Sequence, residues 1–87
     1  MSEDQKQGYP CYCCGYLTRS EEDTGTFDIC PVCGWEDDSV QCNDEAYQGG
    51  ANGISLQQAR RNYKQFGAVS PSIAKRIRPP LPDEYPT

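Results

Sequence analysis

The residues able to do chemistry together in this chain are cysteines. They read Cys11-Tyr12-Cys13-Cys14-Gly15 and Cys30-Pro31-Val32-Cys33-Gly34, with fifteen residues between Cys14 and Cys30. Each cluster contains C-x-x-C-G, and the pair has the spacing of a four-thiolate metal site. In such a knuckle both sulfurs face one ion about 2.3 Å away, and the following backbone turns its N–H groups toward the thiolates. Glycine permits the positive φ that turn favours, and Gly15 and Gly34 stand there. Pro31 fixes φ inside the second turn. The spacing designates Cys11, Cys14, Cys30 and Cys33 as metal ligands. Cys13 offers an alternative register, but the Cys11/Cys14 pair reproduces the separation of Cys30 and Cys33 and places the glycine correctly. Cys13 therefore reads as a non-ligand thiol beside the site, and Cys42 as a small semi-buried residue. A redox pairing of the two rests only on both being left over.

Composition explains why a metal is wanted. Only 12 of the 87 residues are Leu, Ile, Val or Phe. An apolar core that small is marginal once chain entropy is subtracted, whereas a structural zinc site supplies on the order of 10–16 kcal/mol of apparent folding free energy. Three disulfides in a secreted domain are the other use of six cysteines. The polar stretch Met1-Ser2-Glu3-Asp4-Gln5-Lys6-Gln7, which has no apolar run, and the paired knuckle spacing oppose it. No stretch is apolar enough to span a bilayer, and the expected compartment is the cytosol.

Charge is segregated. Eleven of thirteen acidic residues lie between positions 3 and 45, and six of eight basic ones between Arg60 and Arg78. A net charge of -5 argues against non-specific nucleic-acid binding. The basic stretch reads as a solvated helix face complementing the acidic half.

Around the knuckles the expected fold is a small metal-bound α+β domain. A zinc-ribbon β-hairpin carries the two knuckles and is followed by one main helix and a second short helix. The alternation in Gly15-Tyr16-Leu17-Thr18 and Thr26-Phe27-Asp28-Ile29 predicts two antiparallel strands joined by the polar 19–25 loop. Trp35 should pack over the site. Glu36-Asp37-Asp38 reads as an acidic turn or partner-facing surface, since its spacing fits no calcium loop and the chain has no histidine. Gly49-Gly50-Ala51-Asn52-Gly53 lacks a Walker lysine or dinucleotide spacing and reads as a tight turn rather than a phosphate cradle. Ser55 as N-cap with Gln58 forms a capping box, and the helix runs from Leu56 to Phe66 before Gly67 stops it. Leu56, Ala59, Tyr63 and Phe66 form its apolar stripe; Arg60, Arg61 and Lys64 face away. Ser70-Pro71 opens the second helix, with Ile73 and Ile77 on one face. The organisation is a disordered lead-in at 1–8, one domain at 9–78 and an extended proline-rich tail at 79–87, which lies on the domain through Leu81 and Tyr85 or hangs free.

The whole pattern resembles the bacterial cysteine-rich CPCC family. The carrying residues are Tyr9 to Tyr16, Asp28 to Asp38, and Gly49 to Leu56 continuing through Ala59-Arg60 and Asn62-Tyr63 to Phe66-Gly67. Tyr12 stands where the name motif has proline, which leaves all three cysteines of that motif in place. The resemblance implies a small metal-binding bacterial protein and brings no known activity.

Function follows as a set of expectations. Without histidine, serine–histidine and cysteine–histidine mechanisms are excluded, and four thiolates leave tetrahedral zinc no open position for water. The expected function is a non-catalytic, zinc-stabilised interaction or regulatory module with an unidentified protein partner, an immunity-type factor being one form of it. The alternative is iron and electron transfer, since the knuckles are also similar to those of rubredoxin, although the gap is short for that fold. Nucleic-acid binding through Arg60, Arg61, Lys64, Lys75, Arg76 and Arg78 is a further alternative.

Overall fold

The computed structural model describes residues 8–86; the lead-in expected at 1–8 lies almost wholly outside them. Two strands, β1 (Tyr9–Pro10) and β2 (Leu17–Arg19), are followed by helices α1 (Ser39–Asn43) and α2 (Leu56–Phe66), then 3-10 segments at Pro71–Arg76 and Pro82–Glu84. β1 and β2 pair antiparallel around the first knuckle, with Tyr9 opposite Arg19 and Pro10 opposite Leu17. The second knuckle is bracketed by its own antiparallel bridge between Ile29 and Glu36.

This corrects the expected strand pairing. Residues 15–18 do not pair with 26–29. Each C-x-x-C-G turn sends the chain straight back, so the nearest partner for each flank is the other flank of the same knuckle. Cys11 N donates to Tyr16 O at 2.9 Å, and Cys30 N to Trp35 O at 2.9 Å. Phe27 and Asp37 continue the second ladder through Phe27 N to Asp37 O at 2.9 Å and Asp37 N to Asp28 O at 3.0 Å. The result is two small hairpins, each tipped by a knuckle.

The loop between them is shaped by Arg19 and Asp37. The Arg19 guanidinium donates to the carbonyls of Pro10, Glu21, Glu22 and Asp23, and lies 4.8 Å from the Tyr12 ring centroid. Asp37, which is buried, accepts from Thr24 Oγ1 at 2.6 Å, Gly25 N at 3.1 Å and Thr26 Oγ1 at 3.1 Å. Asp38 is buried too and caps α1, an element the acidic turn hid in the sequence. Its carboxylate accepts from Val40 N at 2.8 Å and from Ala51 N at 2.9 Å. These hydrogen bonds hold the Asp38 carboxyl below its ordinary value, that from Ala51 foremost. Two of the three acids expected on a partner-facing surface are therefore internal.

Gln41 of α1 is fully buried with every polar group used. Nε2 donates to Tyr47 O and Ile54 O, and Oε1 accepts from Asn52 N and Asn52 Nδ2. Asn52 in turn pairs with Glu36 through both its side-chain atoms, at 2.7 and 2.8 Å, as a strand backbone would. The glycine-rich 49–53 loop is thus tied down as a turn, its Ala51 and Asn52 N–H groups spent inside the protein.

The main helix has the expected bounds. Ser55 Oγ accepts from Gln58 N at 3.0 Å, and Gly67 ends the helix with φ 76°. Gln58 completes only half of the capping box, because its amide turns to Asn62 at 2.8 Å. Leu56 and Ala59 are buried and Tyr63 is half-buried, but Phe66, expected on the same stripe, is exposed. The 70–77 segment forms a 3-10 helix without a side-chain cap from Ser70. The 82–84 turn docks the tail. Arg78 binds Glu84 through two bonds of 2.8 Å, and Tyr85 meets Tyr16 edge-on at 5.2 Å.

A Cβ at Gly50 would sit 2.6 Å from Asp38 Oδ2 and from Cγ and Cδ of Gln41, side chains pinned in a buried network. Gly50→Ala should cost about 1–3 kcal/mol, read by denaturant unfolding at fixed metal concentration. Arg78 lowers the pKa of Glu84. A group lowered on folding contributes stability above its unfolded pKa and loses it as pH falls through the folded one. Tail docking, followed by the NMR shifts of the Tyr85 ring, should hold through the ordinary carboxylate range and release below it, whereas Glu84→Gln should show no such acid step.

Candidate metal centre

The two hairpins present their turns to each other, and the four designated sulfurs converge. Cys11, Cys14, Cys30 and Cys33 place their Sγ atoms all within 4.8 Å of one another. Cys11 Sγ lies 3.6 Å from Cys33 Sγ, and Cys14 Sγ 3.8 Å from Cys30 Sγ. A disulfide needs about 2.05 Å. Four sulfurs bound tetrahedrally at about 2.3 Å from one ion stand about 3.8 Å apart. The donor set therefore fits a metal ion, and these four cysteines are able to bind one.

The two knuckles share their turn bond and their first N–H contact to sulfur. Gly15 N donates to Cys11 O and Gly34 N to Cys30 O, both at 2.9 Å, with φ of 84° and 91° at the glycines. Cys13 N points at Cys11 Sγ and Val32 N at Cys30 Sγ, each at 3.4 Å. Trp35 N adds a third such contact, to Cys33 Sγ at 3.4 Å. N–H groups aimed at sulfur spread thiolate charge. Gly34 is required twice over, since a Cβ there would also stand 2.5 Å from Ile73 Cγ2.

The distal elements hold the knuckles in place. Arg60 of α2 donates to Tyr12 O at 2.9 Å inside the first knuckle and to Glu45 at 2.8 Å. The expectation that Arg60 faces away is corrected: the first knuckle leaves a carbonyl exposed, and a guanidinium with several donors can answer it and a carboxylate together. The second knuckle is held by backbone, Val69 N to Cys33 O and Arg78 N to Pro31 O, both at 2.9 Å. Asn62 Nδ2 reaches Val69 O at 2.7 Å and so links the two clamps. Trp35 is buried among Cys11, Cys30 and Cys33, as expected.

Four thiols this close cannot all ionise without a cation. Cys30 is held far below the ordinary thiol range by hydrogen bonds from Cys11 first, then Cys14 and Cys33. Cys11 is lowered mainly by Cys14. Cys14 and Cys33 are raised, each chiefly by its bond to Cys11. A divalent ion bound to the four sulfurs would take the place of the protons they share. Burial pushes the Tyr63 phenol beside the site up to about 12.

Two contributors are absent from the motif reading. Thr18 Oγ1 lies 3.1 Å from Cys30 Sγ, a hydroxyl placed to donate to that thiolate. Its signal in the sequence was only strand alternation. Arg60 is the other, hidden within a basic run. Cys42 sits away from the cluster with Thr24 Oγ1 at 3.3 Å and Asp37, and burial raises its pKa. Cys13 lies against the sulfur cluster, so the two leftover thiols occupy different surroundings. Among the six basic residues of the C-terminal half, Arg60 and Arg78 are committed to Glu45 and Glu84.

The family model for the cysteine-rich CPCC proteins matches residues 9–84, spanning both hairpins, both clamps and the tail turn. The chain belongs to that family. No curated protein matches it. Among the described residues no helix is long and apolar enough to cross a membrane.

Thr18→Val keeps the shape of the side chain and removes the hydroxyl. It should weaken metal affinity about tenfold while leaving the far-UV spectrum unchanged, as measured by competition with a chelator.

Proposed function

We propose that this chain is a zinc-stabilised, non-catalytic protein-interaction or regulatory module acting in the cytosol. The observation that carries the reading is the sulfur set itself. Four cysteines at tetrahedral separations, three of them buried, complete the coordination of zinc and leave no position for water or substrate. The ion then serves folding rather than turnover. This agrees with the small apolar inventory, of which only Val32, Leu56 and Val69 are buried among the Leu, Ile, Val and Phe residues.

A surface for a partner is also at hand. A groove of about 590 Å³ runs beside the second knuckle between Ile29, Ile54, Ile73 and Ile77, with Glu36 and Arg76 at its polar positions. Ile29 is 64% exposed there. Two residues earlier, Phe27 is exposed with φ 61°, the one non-glycine residue with positive φ among those described. Left-handed backbone at a bulky residue costs of order 1–3 kcal/mol and is commonest where function requires it. An immunity-type factor that engages a toxin would use such a face.

Protein purified without added metal should be colourless, carry one equivalent of zinc and unfold on chelation; a red, iron-loaded protein would replace this reading with electron transfer. Crosslinking in native lysate should then capture a protein with the wild type that Ile29→Asp fails to capture. Equal capture by both, or none above background, would count against an interaction role at this face.

A further inference from the structure

The groove beside the second knuckle holds more than aliphatic surface. Ile29, Ile54, Ile73 and Ile77 line it together with one acid, Glu36, and one base, Arg76. Glu36 is half-buried and Arg76 is exposed. The backbone N–H and carbonyl of Glu36 are both taken by Asn52, but its carboxylate is not. Among the described residues the ion pairs are Arg60 with Glu45 and Arg78 with Glu84. Glu36 and Arg76 thus share a groove without bridging each other, and neither charge is answered by a described residue.

The frame of the groove is fixed in advance. The second knuckle beneath it is held through Arg78 N to Pro31 O and Val69 N to Cys33 O, both at 2.9 Å. Ile29 stands directly opposite Glu36 in the bridge that closes the second hairpin. Directly opposed residues of an antiparallel pair present their side chains on one face. Ile29 projects from that face, 64% exposed. The face therefore combines a recess, a projecting aliphatic side chain and one charge of each sign. Such a face is complementary to itself. A two-fold axis across it puts Ile29 of each copy into the recess of the other and brings each Glu36 to the opposite Arg76. A partner carrying one sign of charge would instead cover the other charge without a counter-ion, which is unfavourable.

We propose that this groove is the interface of a homodimer, in which Ile29 of each copy enters the isoleucine groove of the other and Glu36 pairs with Arg76 across the two-fold axis. This rests on the reading of the groove as a partner surface and names the partner as a second copy of the chain. Copies of net charge -5 repel one another. Association is therefore to be measured near physiological salt, where exposed charges more than about 8 Å apart are largely screened.

Sedimentation equilibrium of the full chain as purified, from micromolar to submillimolar concentration, reads the assembly directly. Wild type should reach the mass of two 9.7 kDa chains, and Ile29→Asp should stay a monomer with an unchanged far-UV spectrum. Glu36→Arg alone and Arg76→Glu alone should each weaken the dimer about tenfold or more, because each sets like charges against each other twice. An equimolar mixture of those two variants should regain association as a heterodimer, since both pairs then have opposite signs. A wild type that stays monomeric overturns the homodimer, as does a dimer that Ile29→Asp leaves intact or a mixture no tighter than its separate components. Where a charge variant fails to fold, wild type against Ile29→Asp decides alone. Crosslinking in lysate separates this from the wider reading. A monomeric wild type that still captures another protein through Ile29 ends the homodimer and keeps the interaction role. A dimer whose Ile29-dependent crosslink is to itself alone keeps the homodimer and ends the search for a different partner at this face.

Discussion

The convergence of four cysteine sulfurs within 4.8 Å is the constraint on which the remaining structure depends. Thiolates at that distance repel, and the site is stable only with protons or a cation between them. The chain cannot compensate with an ordinary core. Its buried cluster is largely sulfur and indole, built from Cys11, Cys30, Cys33 and Trp35 with Val32, Leu56, Ala59 and Val69. The two knuckles are therefore both the chemistry and the centre of packing. Their shared wiring, down to the paired 2.9 Å turn bonds at Gly15 and Gly34, reflects one solution to aiming N–H groups at sulfur used twice.

Holding two such turns face to face requires more order than two-residue strands provide. Side chains that bond to backbone supply it. Arg19 gathers the 21–23 carbonyls, Asp37 the 24–26 donors, Asp38 and Gln41 the 49–54 loop, and Arg60 the first knuckle. Each is a buried or half-buried polar group whose desolvation is offset only because its partners are complete. Gln41, with all of its hydrogen-bonding capacity used, shows the condition at its strictest.

Charge segregation along the sequence has a local rather than a global meaning. The acidic half turns two carboxylates inward as scaffolding, and the basic half commits Arg60 to Glu45 of the acidic half and Arg78 to Glu84 of the tail turn. What faces outward is a mixed surface with a groove at the second knuckle lined by Ile29, Ile54, Ile73 and Ile77.

The local rules were legible in the residues. The grouping of four cysteines, the glycine after each knuckle, Trp35 beside them, and the helix from the Ser55 cap to Gly67 all depend on neighbours in sequence, and the structure has them where the patterns put them. Strand pairing was not, because alternation marks an extended segment without naming its partner, and the turn geometry made each flank pair within its own knuckle. Nor could the sequence tell a solvated carboxylate from Asp37, or a solvated guanidinium from Arg60. Burial and partnership are properties of segments brought together from 11 to 48 positions apart. The sequence by itself determined that this chain gathers four thiols. Only the tertiary structure decided which polar side chains hold them together, because that depends on which backbone groups the folded chain leaves without partners.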